Sequence, residues 1–388
     1  MTSRLLAAVA AATVLADASC AHTLRGANPE VGVSLPEDHA AHGDAQSEWW
    51  HFHGHVTDAQ GRRYDWFLAF IKQHTDLDSV LWLPVRWFVD PFQVALYTLT
   101  DRSAGKFHVA EKHAYPDTWT ADASGERMAL RHGSWSAQRS DDGTMTLAAR
   151  SRTTSLELAL RPLKAPALLG KDGYLHVPPR SSHYYYSIPR MVADGTITVD
   201  GDVRAVSGLG WFKHEWGFLY ADDVAGWVWF GVQLASGEEL EIGLIFDEQS
   251  NLVDGSFAVV EERDGKVTPI RVRELEVKES GDTWRSPRTG TVYPIGWLLE
   301  IPGRGSLALE AAVAGQEMVV FPVNLWAGGL TVEGVFDGQP VTGECFAEVV
   351  GLDEPFGRNL LRSGRPTKWE MVKPKPVKKP PKKPPVKK

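Results

Sequence analysis

Ser47-Glu48-Trp49-Trp50-His51-Phe52-His53-Gly54-His55-Val56-Thr57, then the turn Asp58-Ala59-Gln60-Gly61, then the run Tyr64 to Lys72, is the stretch that decides the fold. Residues 49–57 contain no helical apolar stripe, and aromatic residues favour a pleated, half-buried surface. The turn residues are followed at hairpin distance by a second apolar run, so the stretch reads as an antiparallel hairpin. On a strand, His51, His53 and His55 share one face.

Working outward, the same texture repeats. Strand-like runs between turn signals are expected at 92–100, 144–150, 155–161, 184–191 and 195–199. In the second half they fall at 226–234, 239–246, 255–262, 270–277, 298–301, 307–314, 329–336 and 344–350. No long amphipathic helix stands out. Trp227-Val228-Trp229-Phe230-Gly231, then Gly237, then Leu240 to Ile245, echoes the first hairpin in loop length and aromatic content, and Glu215-Trp216 echoes Glu48-Trp49. One β-unit used twice explains both echoes. The expected fold is all-β, with two tandem antiparallel barrels or sandwiches joined near residues 200–220.

Composition agrees. The 388 residues are 43% apolar and 23% charged, in the range of a globular protein, with 15 Trp and 60 Gly plus Pro to supply strands and turns. The net charge of −8 hides an asymmetry. Without the eight lysines of residues 373–388, 33 basic residues face 49 acidic ones. An acidic body argues against nucleic acid as a partner. The Lys/Pro tail reads as an extended, solvated segment that could touch an anionic surface of the cell envelope.

At the other end, Arg4 precedes the apolar Leu5 to Leu15 and small-residue exits at 16–18 and 19–21, the pattern of an export signal. Lipid attachment at Cys20 is the alternative to simple cleavage. The expected organisation is therefore a signal at 1–21, a linker at 22–45, β-units at 46–210 and 211–355, and an extension with the basic tail at 356–388. The expected location is periplasmic or extracellular. Only Cys20 and Cys345 are present, so no disulfide framework or Cys metal site is expected. The apolar segment Val80 to Val89, with Trp82 and Trp87, reads either as a buried crossing or as a flap over a ligand mouth.

The stretch from Ser47 to Asp58 resembles the opening motif of the carotenoid 1,2-hydratase and AttH family. Further matches follow in order: Leu99-Thr100-Asp101, Pro166 to Gly173, His183-Tyr184-Tyr185-Tyr186-Ser187-Ile188-Pro189-Arg190, Gly208 to Gly217, Gly226 to Leu234 and Leu325-Trp326-Ala327-Gly328. The resemblance covers about 46–352 and implies tandem lipocalin-like β-domains. It implies an enzyme of hydratase type, or a relative called a predicted secreted hydrolase, acting on an isoprenoid-, polyketide- or lipid-like molecule. Two departures matter. Lys213 stands where the family usually has an Asp, the proton donor in the hydratases, and Ala327 stands where it often has a Glu.

The residues allow such chemistry only in part. Adding water to an unactivated alkene needs a neutral carboxylic acid in an apolar pocket and aromatic faces for the cation. On a strand, Trp211, Lys213 and Glu215 share one face and Phe212, His214 and Trp216 the other. A Lys213–Glu215 pair would hold the carboxylate ionised. The expected catalytic set is His183, Tyr185, Trp211, His214 and Glu215. Glu48, Trp50, Arg190, Lys213, Trp227, Trp229 and Trp326 are the expected ligand-binding set. The three alternating histidines, with Asp58 or Glu48, have a spacing zinc can use, but no metal and no cofactor is expected. There is no phosphate loop, no G-x-S-x-G elbow and no H-E-x-x-H. The rival reading is a non-catalytic carrier of a hydrophobic ligand, favoured by the missing acid at 213. In either case the chain is expected to be a monomer.

Overall fold

A computed structural model describes residues 24–74, 91–114, 121–218, 224–320 and 323–352. The expected export signal, Cys20, the 80–89 segment and the residues from 353 onward lie outside them. One 3-10 turn, Glu37–His39, is the only helix among the described residues, and the remaining elements are strands.

The first unit is one 13-stranded sheet. Its main path runs Lys106–Ala114, Phe92–Asp101, Arg63–Gln73, Ser47–Asp58, Asp202–Phe218, Ser181–Val199, Thr154–Pro162, Met145–Arg150, Trp135–Arg139, Ala129–His132 and Ala121–Ala123. Its first strand, Ser47–Asp58, pairs on one side with its successor and on the other with its last strand, Asp202–Phe218. The two edges, Lys106–Ala114 and Ala121–Ala123, are consecutive in the chain, and the sheet curls into a nearly closed barrel.

The second unit repeats the plan with fewer strands. Gly226–Leu234 pairs with Glu239–Phe246 and with the final strand Gln339–Val350. This ten-stranded sheet forms a half-barrel whose edges, Val267–Pro269 and Glu276–Glu279, again follow one another in sequence. The expected all-β fold of two repeated units is the one observed.

Each unit has its own core. Trp50, Phe52, Tyr64, Trp66, Leu68, Tyr97, Phe212 and Trp216 lie in the first. Phe230, Val232, Ile242, Trp297, Trp326 and Val349 lie in the second. Because side chains alternate along a strand, the opposite faces of the same strands point outward, and here they meet each other. Phe67, Ala69, Val94, Leu96 and Trp211 pack on Trp229, Met318, Val320, Ala327 and Phe346. The approach is close: a Cβ on Gly329 would lie 2.2 Å from the Asp65 carboxyl carbon, so only glycine fits there.

Three expectations on organisation change. The 210/211 boundary falls inside Asp202–Phe218, which is paired along its length with first-unit strands; the unit ends beyond Phe218. Runs 184–191 and 195–199 are one strand, Ser181–Val199, carrying an irregularity between Ile188 and Met191. Residues 24–45 are not a free linker. Ala40 and Ala45 are buried, His39 Nδ1 is 2.6 Å from the Tyr186 hydroxyl, and His42 stacks on Trp216 at 4.1 Å.

Candidate functional site

The main cleft opens between the two units and holds about 660 Å³ including its mouth. From the first unit it takes Trp49 and His51, His183 and Tyr185, and Lys213 and Glu215. From the second it takes Trp227 and Trp229, Gly243 and Ile245, Phe257 and Glu348. In five strands the lining residues sit two apart, so these walls are each one face of a strand, and Phe257 and Glu348 are added singly from two further strands. Pockets prefer such junctions between units.

His183 is the most chemically ready group. Its Nε2 lies 3.3 Å from Glu215 Oε1, and its Nδ1 is buried without a hydrogen-bond partner. An imidazole that donates Nε2–H to a carboxylate keeps a lone pair on Nδ1.

Lys213 does not pair with Glu215. Its Nζ is 2.9 Å from Glu348 Oε1 and 3.8 Å from the centre of the Trp229 ring. His51 Nδ1 approaches the same Glu348 oxygen at 3.3 Å. Burial pushes the Glu348 carboxyl up, but the charges of Lys213 and His51 outweigh it and hold it well below the usual range. Burial lowers His51, with Glu348 opposing.

Tyr185 donates its hydroxyl to Glu241 Oε1 at 2.5 Å, and Ser187 donates to Oε2 at 2.6 Å. Glu241 belongs to the second unit and is buried; burial pushes its carboxyl up, against the two hydroxyl donors. Tyr185 is itself pushed well up by burial and by the neighbouring Glu241 charge. Sequence reasoning missed both Glu241 and Glu348. The trace available was two carboxylates set among apolar residues in Leu240 to Phe246 and Phe346 to Val350.

The other expected site residues are elsewhere. Trp211 lies beside the cleft among His53, Trp229 and Phe346 in the inter-unit core. Arg190 crosses between units to Glu239 and the Leu234 carbonyl. Trp326 is inside the second core, 6.0 Å from Trp297, its indole N–H donated to the Ala314 carbonyl. Glu48, Trp50 and His214 are inside the first barrel, because the even-numbered positions of Trp50, His214 and Trp216 face inward.

There Glu48 Oε1 meets His42 Nδ1 at 2.7 Å and His214 Nε2 at 3.1 Å, and Lys72 donates to Oε2 at 2.6 Å. Burial would raise Glu48, but the hydrogen bonds from His214 and His42 and the Lys72 charge overcome it and hold it at about 2. His42, Glu48 and His214 have the donor set of a metal site. Against that use, the Lys72 ammonium already supplies the cation that the carboxylate needs. The alternating histidines do not form a ligand set either. His51 turns to Glu348, His53 is stacked between Trp211 and Phe346, and Asp58 is engaged by Arg62.

Comparison with known proteins bears on family and fold. A family model described as AttH-like matches residues 26–352. Kievitone hydratase from Fusarium solani subsp. phaseoli is 26% identical over 175 residues, 43% of this chain and 49% of that protein, so the match spans about half the relative's length. A crystal structure described as AttH from Nitrosomonas europaea superposes with a TM-score of 0.74 at 24% identity, covering 84% of this chain and 99% of that one. Kievitone hydratase from Nectria haematococca superposes at 0.66 and 16% identity, covering 84% and 95%. The structure of CghA with Sch210972 superposes at 0.54 and 14%, covering 85% and 96%. At these identities the superpositions establish the fold.

Proposed function

This chain belongs to the AttH-like family, and on that premise we propose that it binds an isoprenoid-, polyketide- or lipid-like molecule in the inter-unit cleft and adds water to it. The observation that carries the reading is the His183–Glu215 pair with its unpartnered Nδ1 on the cleft wall. Water addition to an alkene needs a base to take a proton from the incoming water, and His183, with an Nδ1 that no protein group engages, is the lining residue assigned that role in this reading. The Trp49 and Trp227 rings supply faces that stabilise a developing cation without donating competing nucleophiles, whereas the Trp229 ring already carries the Lys213 ammonium. The likeness to kievitone hydratase, partial in sequence, supports a hydratase-type reaction.

The test begins with mass spectrometry of small molecules that co-purify with the protein. Incubation in isotopically labelled water follows. A retained apolar alkene that gains labelled oxygen supports the reading; a retained ligand recovered unchanged overturns the hydratase step. That second outcome is the carrier reading, and the Lys213–Glu348 pair is the observation that favours it, since an ammonium engaged by a buried carboxylate leaves the cleft without the family's carboxylic acid. The reading includes export, from Arg4 and the Leu5 to Leu15 run. The mass of the mature N-terminus in the exported fraction checks it.

A further inference from the structure

The hydratase reading leaves one requirement open: a proton must reach carbon, and the family's acid position holds Lys213. We propose that Glu241 fills that role from behind the cleft, passing its proton outward through the Tyr185 hydroxyl. The inference rests on the hydratase reading and extends it to a residue that lies in no recognised motif of the chain.

Three observations carry it. Tyr185 lines the cleft and its hydroxyl is 2.5 Å from Glu241 Oε1, so phenol and carboxyl form a direct two-member chain from cleft to interior. Glu241 comes from the opposite unit and is almost fully buried, with no lysine or arginine hydrogen-bonded to it. Glu239 is instead held by Lys164 and Arg190, Glu344 by Arg102, and Glu348 by Lys213, while Glu261, also without a hydrogen-bonded cation, has no hydroxyl bonded to it to lead to the cleft. A buried carboxyl without a hydrogen-bonded cation favours its neutral form, and for Glu241 burial raises the carboxyl although the Ser187 and Tyr185 hydroxyls and the nearby Lys213 charge oppose it. When the carboxyl is neutral, one of its two hydroxyl contacts reverses, because Tyr185 and Ser187 can each accept as well as donate.

The step balances. As the π bond of the alkene breaks, a C–H bond forms with the proton of the Tyr185 hydroxyl. The Glu241 O–H breaks in concert and its proton restores the phenol, leaving Glu241 as carboxylate. Water forms a C–O bond to the carbocation and loses a proton to His183 Nδ1. Solvent exchange through the cleft then returns a proton from His183 to the Tyr185–Glu241 chain, and no oxidant, reductant or metal is consumed.

Two measurements test this on the full chain. The first needs no substrate: an infrared difference spectrum at neutral pH between the wild type and Glu241→Gln. A protonated-carboxyl band lost in the variant is expected; its absence from the wild type overturns the proposal. The second is hydration of geraniol and farnesol as probes. Glu241→Gln keeps one oxygen to accept from one hydroxyl and turns an NH2 towards the other, which then accepts, as with a neutral carboxyl, so the fold and probe binding stay intact while turnover falls by about 10²-fold or more. Glu241→Asp restores part of it with a shifted pH profile. Full turnover in Glu241→Gln overturns the proposal and leaves the hydratase reading standing. A carboxyl band with no turnover by the wild type overturns the hydratase reading itself.

Discussion

Lys213 and Glu348 form an ion pair across the two units, Nζ to Oε1 2.9 Å, with both side chains almost wholly buried. Glu348 is the cross-strand partner of Ala327, so it projects on the same face of the second sheet. Ala327, where the family resemblance leads one to expect an acid, therefore has Glu348 one strand away, and Glu348 is engaged by Lys213, the other position where an acid is expected. The two departures from the family pattern lie against one another.

Removing one partner should expose the cost of the other. Lys213→Met leaves Glu348 buried without its cation and is expected to destabilise the protein by about 3–5 kcal/mol. Lys213→Met combined with Glu348→Gln should recover most of that loss. Urea midpoints of the two single variants and the double variant check it; strictly additive losses would show that the pair is not coupled.

Lys213→Asp tests the chemistry. Two carboxylates facing each other cannot both ionise easily, so one is held protonated and becomes an acid beside the cleft. Water addition to an acyclic isoprenoid is expected to rise. If the wild type hydrates the probe and this variant abolishes it, the lysine itself is required and the account of the substitution is wrong.

Glu261 gives a pH signature to the interface. Both its carboxyl oxygens are buried without a hydrogen-bond partner. Burial pushes it up to about 8, with Lys164 and Arg190 opposing and the charges of Glu239 and Glu241 reinforcing. The folded value lies above the ordinary 4.5, so the unfolded chain loses its proton first. Stability should fall as pH rises from 4.5 towards 8 and level off beyond. Glu261→Gln should flatten that decline in melting temperature; an unchanged slope would assign it to other groups.

The strap over the first barrel has its own window. His42 is raised above 6.5: burial opposes, but hydrogen bonds to Asp38 and Glu48 win. Its contribution is complete below 6.5 and fades as pH rises through the raised value. Glu48, held at about 2, contributes fully above 4.5 and fades as pH falls towards 2. Burial lowers His39 and His214 from 6.5 to about 4, so the packing around the strap weakens as pH falls below 6.5, and amide exchange over residues 38–46 should be slowest relative to the chemical exchange rate near 6.5. Protection equal at all pH values would contradict this, as would Glu48→Gln leaving it untouched.

Much of this architecture was legible beforehand, for a physical reason. The period of two in Trp50-His51-Phe52-His53 and in Trp211-Phe212-Lys213-His214-Glu215-Trp216 fixes which side chains share a face, and both divisions are observed. Alternation does not say which face is the barrel interior and which meets the other unit. That ambiguity put Glu48, Trp50, His214 and Trp326 in one imagined pocket with Lys213 and Trp229, although the sheets stand between them. Nor does the pattern reveal contacts between residues 54 apart or more, as for Ser187, Tyr185 and Glu241. Only the packing of one sheet on the other brings those together.

The filling of both barrel interiors has a consequence for how such a chain can change. With Trp50 and Trp66 inside one unit and Trp297 and Trp326 inside the other, neither interior is a vessel for a guest. The walls that would meet a guest are a thin veneer of outward side chains, one or two per strand, over scaffolds whose stability comes from elsewhere. Such a veneer can be rewritten residue by residue, an aspartate becoming a lysine or a glutamate an alanine, while the load-carrying interiors remain as they are. The seam between the units is where new preferences can accumulate at least cost to folding.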